Sequence, residues 1–171
     1  ITTPGGFDHA DQLVTLAHDM GLEVGVAAFP DGHPASAGDF QADVKVLLEK
    51  ERRGATFATT QFFFDPARYF GLRDSLRNAG SAMDIYPGIL PITNVKQLRR
   101  MAELGGTPIP SNVETRIARV AEDVDQVRKV GIEIATELSK ALIEGGVPGL
   151  HIFTMNTARS TMEIVRALGL R

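Results

Sequence analysis

Runs that suit β-strands alternate with amphipathic helical segments along all 171 residues, and few architectures accept that order. Residues 23–29, 56–64, 83–90 and 150–155 are short and rich in apolar, β-branched or aromatic side chains, as buried strands are. Around them the apolar spacing is helical, over residues 7–20 (Leu13, Leu16, Ala17, Met20), 39–53, 66–79, 93–104, 123–144 and 157–168. Ser111-Asn112-Val113-Glu114 has the pattern of a capping box and predicts a further short helix. Gly21, Gly54, Gly80, Gly105-Gly106 and Gly145-Gly146 supply the helix stops. The third strand is expected to be interrupted at Pro87-Gly88. The series α-β-α-β-α-β-α-α-α-β-α specifies an α/β fold whose strands run parallel with right-handed crossovers. Four such strands make either an open doubly wound sheet or half of an eight-stranded barrel. No Gly-x-Gly-x-x-Gly or Walker loop follows any strand, which weakens a nucleotide-binding open sheet.

Composition narrows the function classes. The length suits one domain, 1–171, with one sizeable core. A net charge of −3 offers no basic excess for nucleic acid or an anionic membrane surface. No apolar run approaches the ~18 residues of a membrane span. Without cysteine there is no disulfide, thiolate metal site or catalytic thiol. His9, His18, His33 and His151 show no metal-ligand spacing, so no metal site is predicted. No Gly-x-Ser-x-Gly elbow supports hydrolase chemistry. The opening Ile1-Thr2-Thr3-Pro4-Gly5-Gly6 is neither basic nor apolar, so a cytoplasmic enzyme or binding domain is expected. Its Pro-Gly-Gly start, without Met, reads as the middle of a loop in a longer protein.

In either architecture the active face lies at the C-terminal ends of the strands. The first end offers Phe29-Pro30-Asp31-Gly32-His33-Pro34, the second Gln61-Phe62-Phe63-Phe64-Asp65, the third Pro87-Gly88-Ile89-Leu90-Pro91-Ile92, and the fourth His151-Ile152-Phe153-Thr154-Met155-Asn156. Polar residues beside aromatic ones suit a flat heterocycle, with faces to stack on and amides for its edge. Gln61 is either a binding residue or a core amide bonded to a neighbouring strand. His33, in a Gly-His-Pro turn, is either a ligand contact or an ordinary loop histidine. Asp65, followed by Pro66, is placed to cap a helix, and Asn94 with Gln97 has a capping-box-like spacing. His151 is expected to face neighbouring structure.

At these strand ends the sequence resembles the methylenetetrahydrofolate reductase family, flavin enzymes of one-carbon metabolism with a TIM-barrel fold. The matching blocks are Val26-Ala27-Ala28-Phe29-Pro30-x-x-His33-Pro34, Gln41-Ala42-Asp43, Thr60-Gln61-Phe62-Phe63-Phe64-Asp65, Pro87-Gly88-Ile89-Leu90-Pro91-Ile92-x-Asn94 and Phe153-Thr154-Met155-Asn156. The resemblance implies a parallel (β/α)8 barrel of which this chain supplies strands five to eight. The N-terminal half, and with it the glutamate that acts as acid, would lie outside it, so no catalytic residue is expected in this chain. A complementing N-terminal half or a homo-oligomer would complete the barrel.

The implied reaction is reduction of 5,10-methylenetetrahydrofolate to 5-methyltetrahydrofolate, with hydride passing from NADH or NADPH to FAD and then to the methylene carbon. Flavin contacts carry over to Phe29, His33, Asp43 and Lys50, and folate and nicotinamide contacts to Gln61 and Gln97. Thr157 stands where relatives can have an arginine for the substrate's acidic tail, and Arg159 is a substitute one turn on. Phe29 replaces a common tyrosine, while Val46 and Glu49 replace polar and basic residues. The losses at Val46 and Glu49 leave open a flavin-free reductase with direct hydride transfer, and the lack of an acid leaves open a catalytically silent half-barrel that binds ligands or partners.

Overall fold

The computed structural model describes residues 6–7 and 10–170. Its helices are α1 (Ala10–Asp19), α2 (Phe40–Arg52), α3 (Pro66–Asn78), α4 (Val95–Gly105), α5 (Ser111–Ala118), α6 (Val124–Glu144) and α7 (Arg159–Ala167). The strands are β1 (Val24–Ala28), β2 (Ala55–Phe62), β3 (Asp84–Ile89) and β4 (His151–Ile152), and a 3-10 turn covers Pro34–Ser36. The strands pair in the order β1-β2-β3-β4, every pair parallel, as the alternation predicts. The predicted start of the first helix includes Asp8 and His9, which lie outside the described residues. Among the described residues no helix is long and apolar enough to cross a membrane.

Among the described residues, helices cover one face of the sheet. In β1, buried Val24, Val26 and Ala28 alternate with exposed Gly25 and Ala27. Ala58 of β2 and Ile85 and Ile89 of β3 join that buried set. Together they pack against Val14 of α1, Leu47 of α2, Leu72 and Leu76 of α3, Leu138 and Leu142 of α6, and Ile164 of α7. On the other face the Phe57 ring lies over Gly25, where a Cβ would collide with it. Phe57 also meets Tyr86 edge-on, with centroids 6.0 Å apart. A doubly wound sheet buries both faces. Coverage of one face, with consecutive parallel strands, makes this a half-barrel.

Two local features shape the C-terminal ends of the strands. Thr59 pairs with Tyr86 and Phe62 with Gly88, so β2 spends three steps where β3 spends two. This bulge sits opposite Pro87, which has no N–H to donate. Thr60 Oγ1 accepts the Gly88 N–H at 2.8 Å and itself donates to the Gln61 carbonyl at 2.7 Å. The third strand therefore runs on through Pro87-Gly88 instead of breaking there. Gly88 has no room for a side chain, since a Cβ would strike the Thr60 carbonyl and lie 2.9 Å from the Phe153 ring.

The second feature is α4. It starts at the end of β3, where Asn94 Oδ1 accepts the Gln97 N–H at 3.0 Å. It finishes over β1 and β2. A Cβ on Gly106 would lie 3.1 Å from Pro34 Cγ, and Thr107 Oγ1 donates to the Phe62 carbonyl at 3.2 Å. The helix thus crosses the ends of the strands, and together with α5 and α6 it builds a second core of Ile92, Leu98, Val113, Ile117, Val127 and Ile134.

Other expectations are corrected. The Ser111 capping box does not form: Pro110 holds the cap position, without a side-chain bond, and Ser111 is the first helical residue. The fourth strand covers 151–152 instead of 150–155. Its last rung is the Phe153 N–H to the Ile89 carbonyl at 2.9 Å, after which β3 has ended and the chain turns left-handed at Met155 and Asn156 (φ 50° and 61°).

Candidate functional site

The loop after β1 and the inward side of α2 enclose a cavity of about 570 Å³. Phe29, His33, Asp43, Val46 and Lys50 all contribute to its lining, with Ser36 and Leu47. Local chemistry explains how they converge. Asp39 caps α2, accepting the Ala42 N–H at 3.0 Å, so Asp43, Val46 and Lys50 follow on one face at helical spacing. Asp43 is only 9% exposed and uses Oδ2 to hold the loop, accepting the His33 N–H at 2.9 Å with Ser36 Oγ at 3.0 Å. His33 Nδ1 accepts the Ala35 N–H at 3.0 Å, which leaves Nε2 as the protonated nitrogen, free to donate. Its ring meets Phe29 edge-on at 4.5 Å.

Among the described residues Lys50 lines the cavity without an ion pair. Burial lowers the Lys50 pKa, and the field of Asp11 only partly opposes it. Asp11 itself pairs with Arg53 at 3.0 Å. Glu49 also turns to Arg53, at 2.9 Å, and so points away from the cavity lining.

Beside this cavity is a tight cleft formed by Phe29, Pro30, Asp31, Gly32, Gln61, Phe62, Gly105 and Thr107, with no volume for a water molecule. Gln61 sits on the β2 bulge, and its Oε1 accepts the Phe62 N–H at 3.0 Å. Gln61 is half-buried at the strand ends, and its amide oxygen is bonded within its own strand, not to a neighbouring one. Asp31, with a side chain 9% exposed, has Arg68 3.6 Å away. Burial raises its pKa, Arg68 opposes the rise and Asp65 adds to it.

Because the folded pKa of Asp31 lies above the unfolded value near ~3.9, ionising it costs stability as the pH rises past that value. Asp31→Asn is therefore expected to melt higher than the parent at pH 7 and to converge with it near pH 3, where the parent side chain is neutral in both states. Thermal melts across that range test this, and a difference independent of pH would show that shape, not charge, governs the position.

The remaining predicted residues are dispersed. Gln97 is in the first turn of α4, about 12 Å along the helix axis from Gly105. Thr157 spends its hydroxyl on the Thr154 carbonyl at 3.2 Å, and exposed Arg159 pairs with Glu163 at 3.4 Å. Asp65 caps α3, accepting the Ala67 N–H at 2.9 Å. His151 meets neighbouring structure, its ring edge-on to Phe153 at 4.9 Å, but the residue as a whole is exposed. The sequence reading missed Ser36 and the 105–107 segment. Ser36 follows His33 at turn spacing and its Oγ lies 2.7 Å from the His33 carbonyl, a signal that was available.

Comparison with known proteins decides the family. The model of the methylenetetrahydrofolate reductase family matches residues 1–169. The chain belongs to that family. It is 37% identical over 164 residues to 5,10-methylenetetrahydrofolate reductase of Escherichia coli, covering 95% of this chain and 55% of that protein. A probable methylenetetrahydrofolate reductase (NADPH) of Caenorhabditis elegans is 34% identical over 167 residues, covering 96% of this chain and 25% of that one. The chain thus spans about half the length, or less, of the family members it matches. Among solved structures, an uncharacterized protein from Clostridium thermocellum, described as binding two copies of 5-methyl-5,6,7,8-tetrahydrofolic acid, superposes with a TM-score of 0.68 at 14% identity. The match covers 96% of this chain and 60% of that one, and supports the fold.

Proposed function

We propose that this chain is the C-terminal half, strands five to eight, of a (β/α)8 reductase that converts 5,10-methylenetetrahydrofolate to 5-methyltetrahydrofolate with NADH or NADPH and FAD. One observation carries the reading: Phe29, His33, Asp43 and Lys50, the positions the family resemblance assigns to flavin, line a single cavity at the strand ends. The residues fit such a group chemically. Lys50 offers a cation to a phosphate, the His33 Nε2–H and Asp43 Oδ1 can bond sugar hydroxyls or amides, and Phe29 presents a ring. The flavin, when bound, supplies the relay of hydride from nicotinamide to folate carbon. The protein's part is to bind, orient and keep water away. Gln61 would contact the pterin edge from the adjoining cleft, Gln97 would approach from α4, and the acid would come from the other half of the barrel.

A direct-transfer reductase is the second reading, favoured by Val46, an exposed apolar side chain on the cavity wall. The full-length protein separates the two. It should purify yellow, bleach with NAD(P)H under anaerobic conditions and recolour with 5,10-methylenetetrahydrofolate. Colourless protein that still oxidises NAD(P)H with the folate would establish direct transfer. Lys50→Ala and His33→Ala are each expected to weaken FAD binding by ~1–3 kcal/mol, the scale of a lost hydrogen bond to a charged or polar group. Unchanged affinity in both would remove the cavity from the flavin site.

A further inference from the structure

We propose that Gly105, in the last turn of α4, is a positioning residue that sets the pose of the Gln61 amide and so the affinity of the site for its folate substrate. The inference rests on the reading of Gln61 as a folate contact. Gln61 Oε1 is tied to the Phe62 N–H, which directs the Nε2 end at α4. A Cβ on Gly105 would lie 3.1 Å from Gln61 Nε2 and 3.4 Å from its Cδ. The helix end cannot readily retreat. Thr107, 5% exposed, is bonded to the Phe62 carbonyl, and Gly106, left-handed at φ 64°, abuts Pro34. Thr107 Oγ1 would lie 3.4 Å from the same Cβ, so the Gln61 amide, the nearer group and the end of a flexible side chain, is the part that gives way, by a few tenths of an ångström. A side chain at 105 would therefore displace the Gln61 amide from its present pose.

Gly105 has an ordinary helical backbone, so alanine there brings no backbone strain and improves helix propensity. Stability and substrate binding should therefore move in opposite directions, which a merely structural role would not produce. In the full-length enzyme, Gly105→Ala is expected to raise KM for 5,10-methylenetetrahydrofolate about threefold, and Gly105→Val about tenfold, as a hydrogen bond is first bent and then lost. The Ala variant should melt no lower than the parent.

In a Gln61→Ala background, Gly105→Val should add less than about twofold to KM, because the two residues act through one contact. An undiminished effect in that background would overturn the proposal, as would a fall in melting temperature parallel to the rise in KM. If Gln61→Ala alone leaves KM unchanged, the folate reading fails. The positioning is then judged by the Gln61 side-chain amide NMR signals. Movement in Gly105→Val but not in Gly71→Ala, whose Cβ would meet nothing within 4 Å, upholds it, and unmoved signals overturn it.

Discussion

Gln61→Glu in the full-length enzyme is expected to lower kcat/KM for 5,10-methylenetetrahydrofolate about 10- to 100-fold, corresponding to ~1–3 kcal/mol for donors removed from a desolvated polar contact. The substitution keeps the shape of the side chain. Its carboxylate can still accept the Phe62 N–H that Oε1 now accepts at 3.0 Å, so the β2 bulge should persist. What disappears is the Nε2 donor pair. An amide can both give and take hydrogen bonds along the mixed edge of a pterin, whereas a carboxylate only accepts. The new charge would also share the tight cleft with Asp31. FAD affinity and the melting temperature should change far less than turnover. If the variant mainly unfolds, Gln61 is a packing residue; if turnover is unaffected, it does not touch the folate.

The largest stability effect is expected at Gly131, within α6. A Cβ there would fall on the carbonyl of Ile92 and lie 2.7 Å from the Ile92 Cβ. Backbone atoms of a buried loop cannot swing aside as a side chain end can. α6 is also the element that joins the two cores, with Val127 and Ile134 in one and Leu138 and Leu142 in the other. Backing α6 away from Ile92 would loosen both. Gly131→Ala should cost about 3 kcal/mol, near the upper end for overpacking, and lower the melting temperature by roughly 10 °C at this chain length. Thermal denaturation measures it. Gly71→Ala, on an open helix surface, should gain slightly from helix propensity, and equal melting temperatures for the two variants would show that the α6–Ile92 contact is loose.

Much of the fold was legible because its signals are local. The turn of α3 was written in Asp65-Pro66: a side chain three bonds from the backbone caps the helix it begins, whatever the rest of the chain does. Asn94 does the same for α4. The strand–helix alternation fixed parallel pairing, since a helical crossover returns each strand in the same direction. The convergence of Asp43, Val46 and Lys50 on one wall likewise follows from helix periodicity.

Other features depended on residues far apart in sequence. Ser111-Asn112-Val113-Glu114 has the pattern of a capping box, yet Pro110 holds the cap position and α5 is held in the second core through Val113 and Ile117. Pro87 reads as a strand breaker, but a bulge in β2 and the Thr60 hydroxyl give the Gly88 N–H a partner, an arrangement visible only once two strands lie side by side. The course of α4 across the strand ends is decided by Thr107 meeting the Phe62 carbonyl, 45 positions away, and by Gly106 against Pro34. The sequence by itself determined which segments become strands and helices, because caps and periodicity act within a turn or two. Only the tertiary structure decided where Gln61 lies and what surrounds it, because a side chain at a bulge takes its place from whichever distant backbone closes over it.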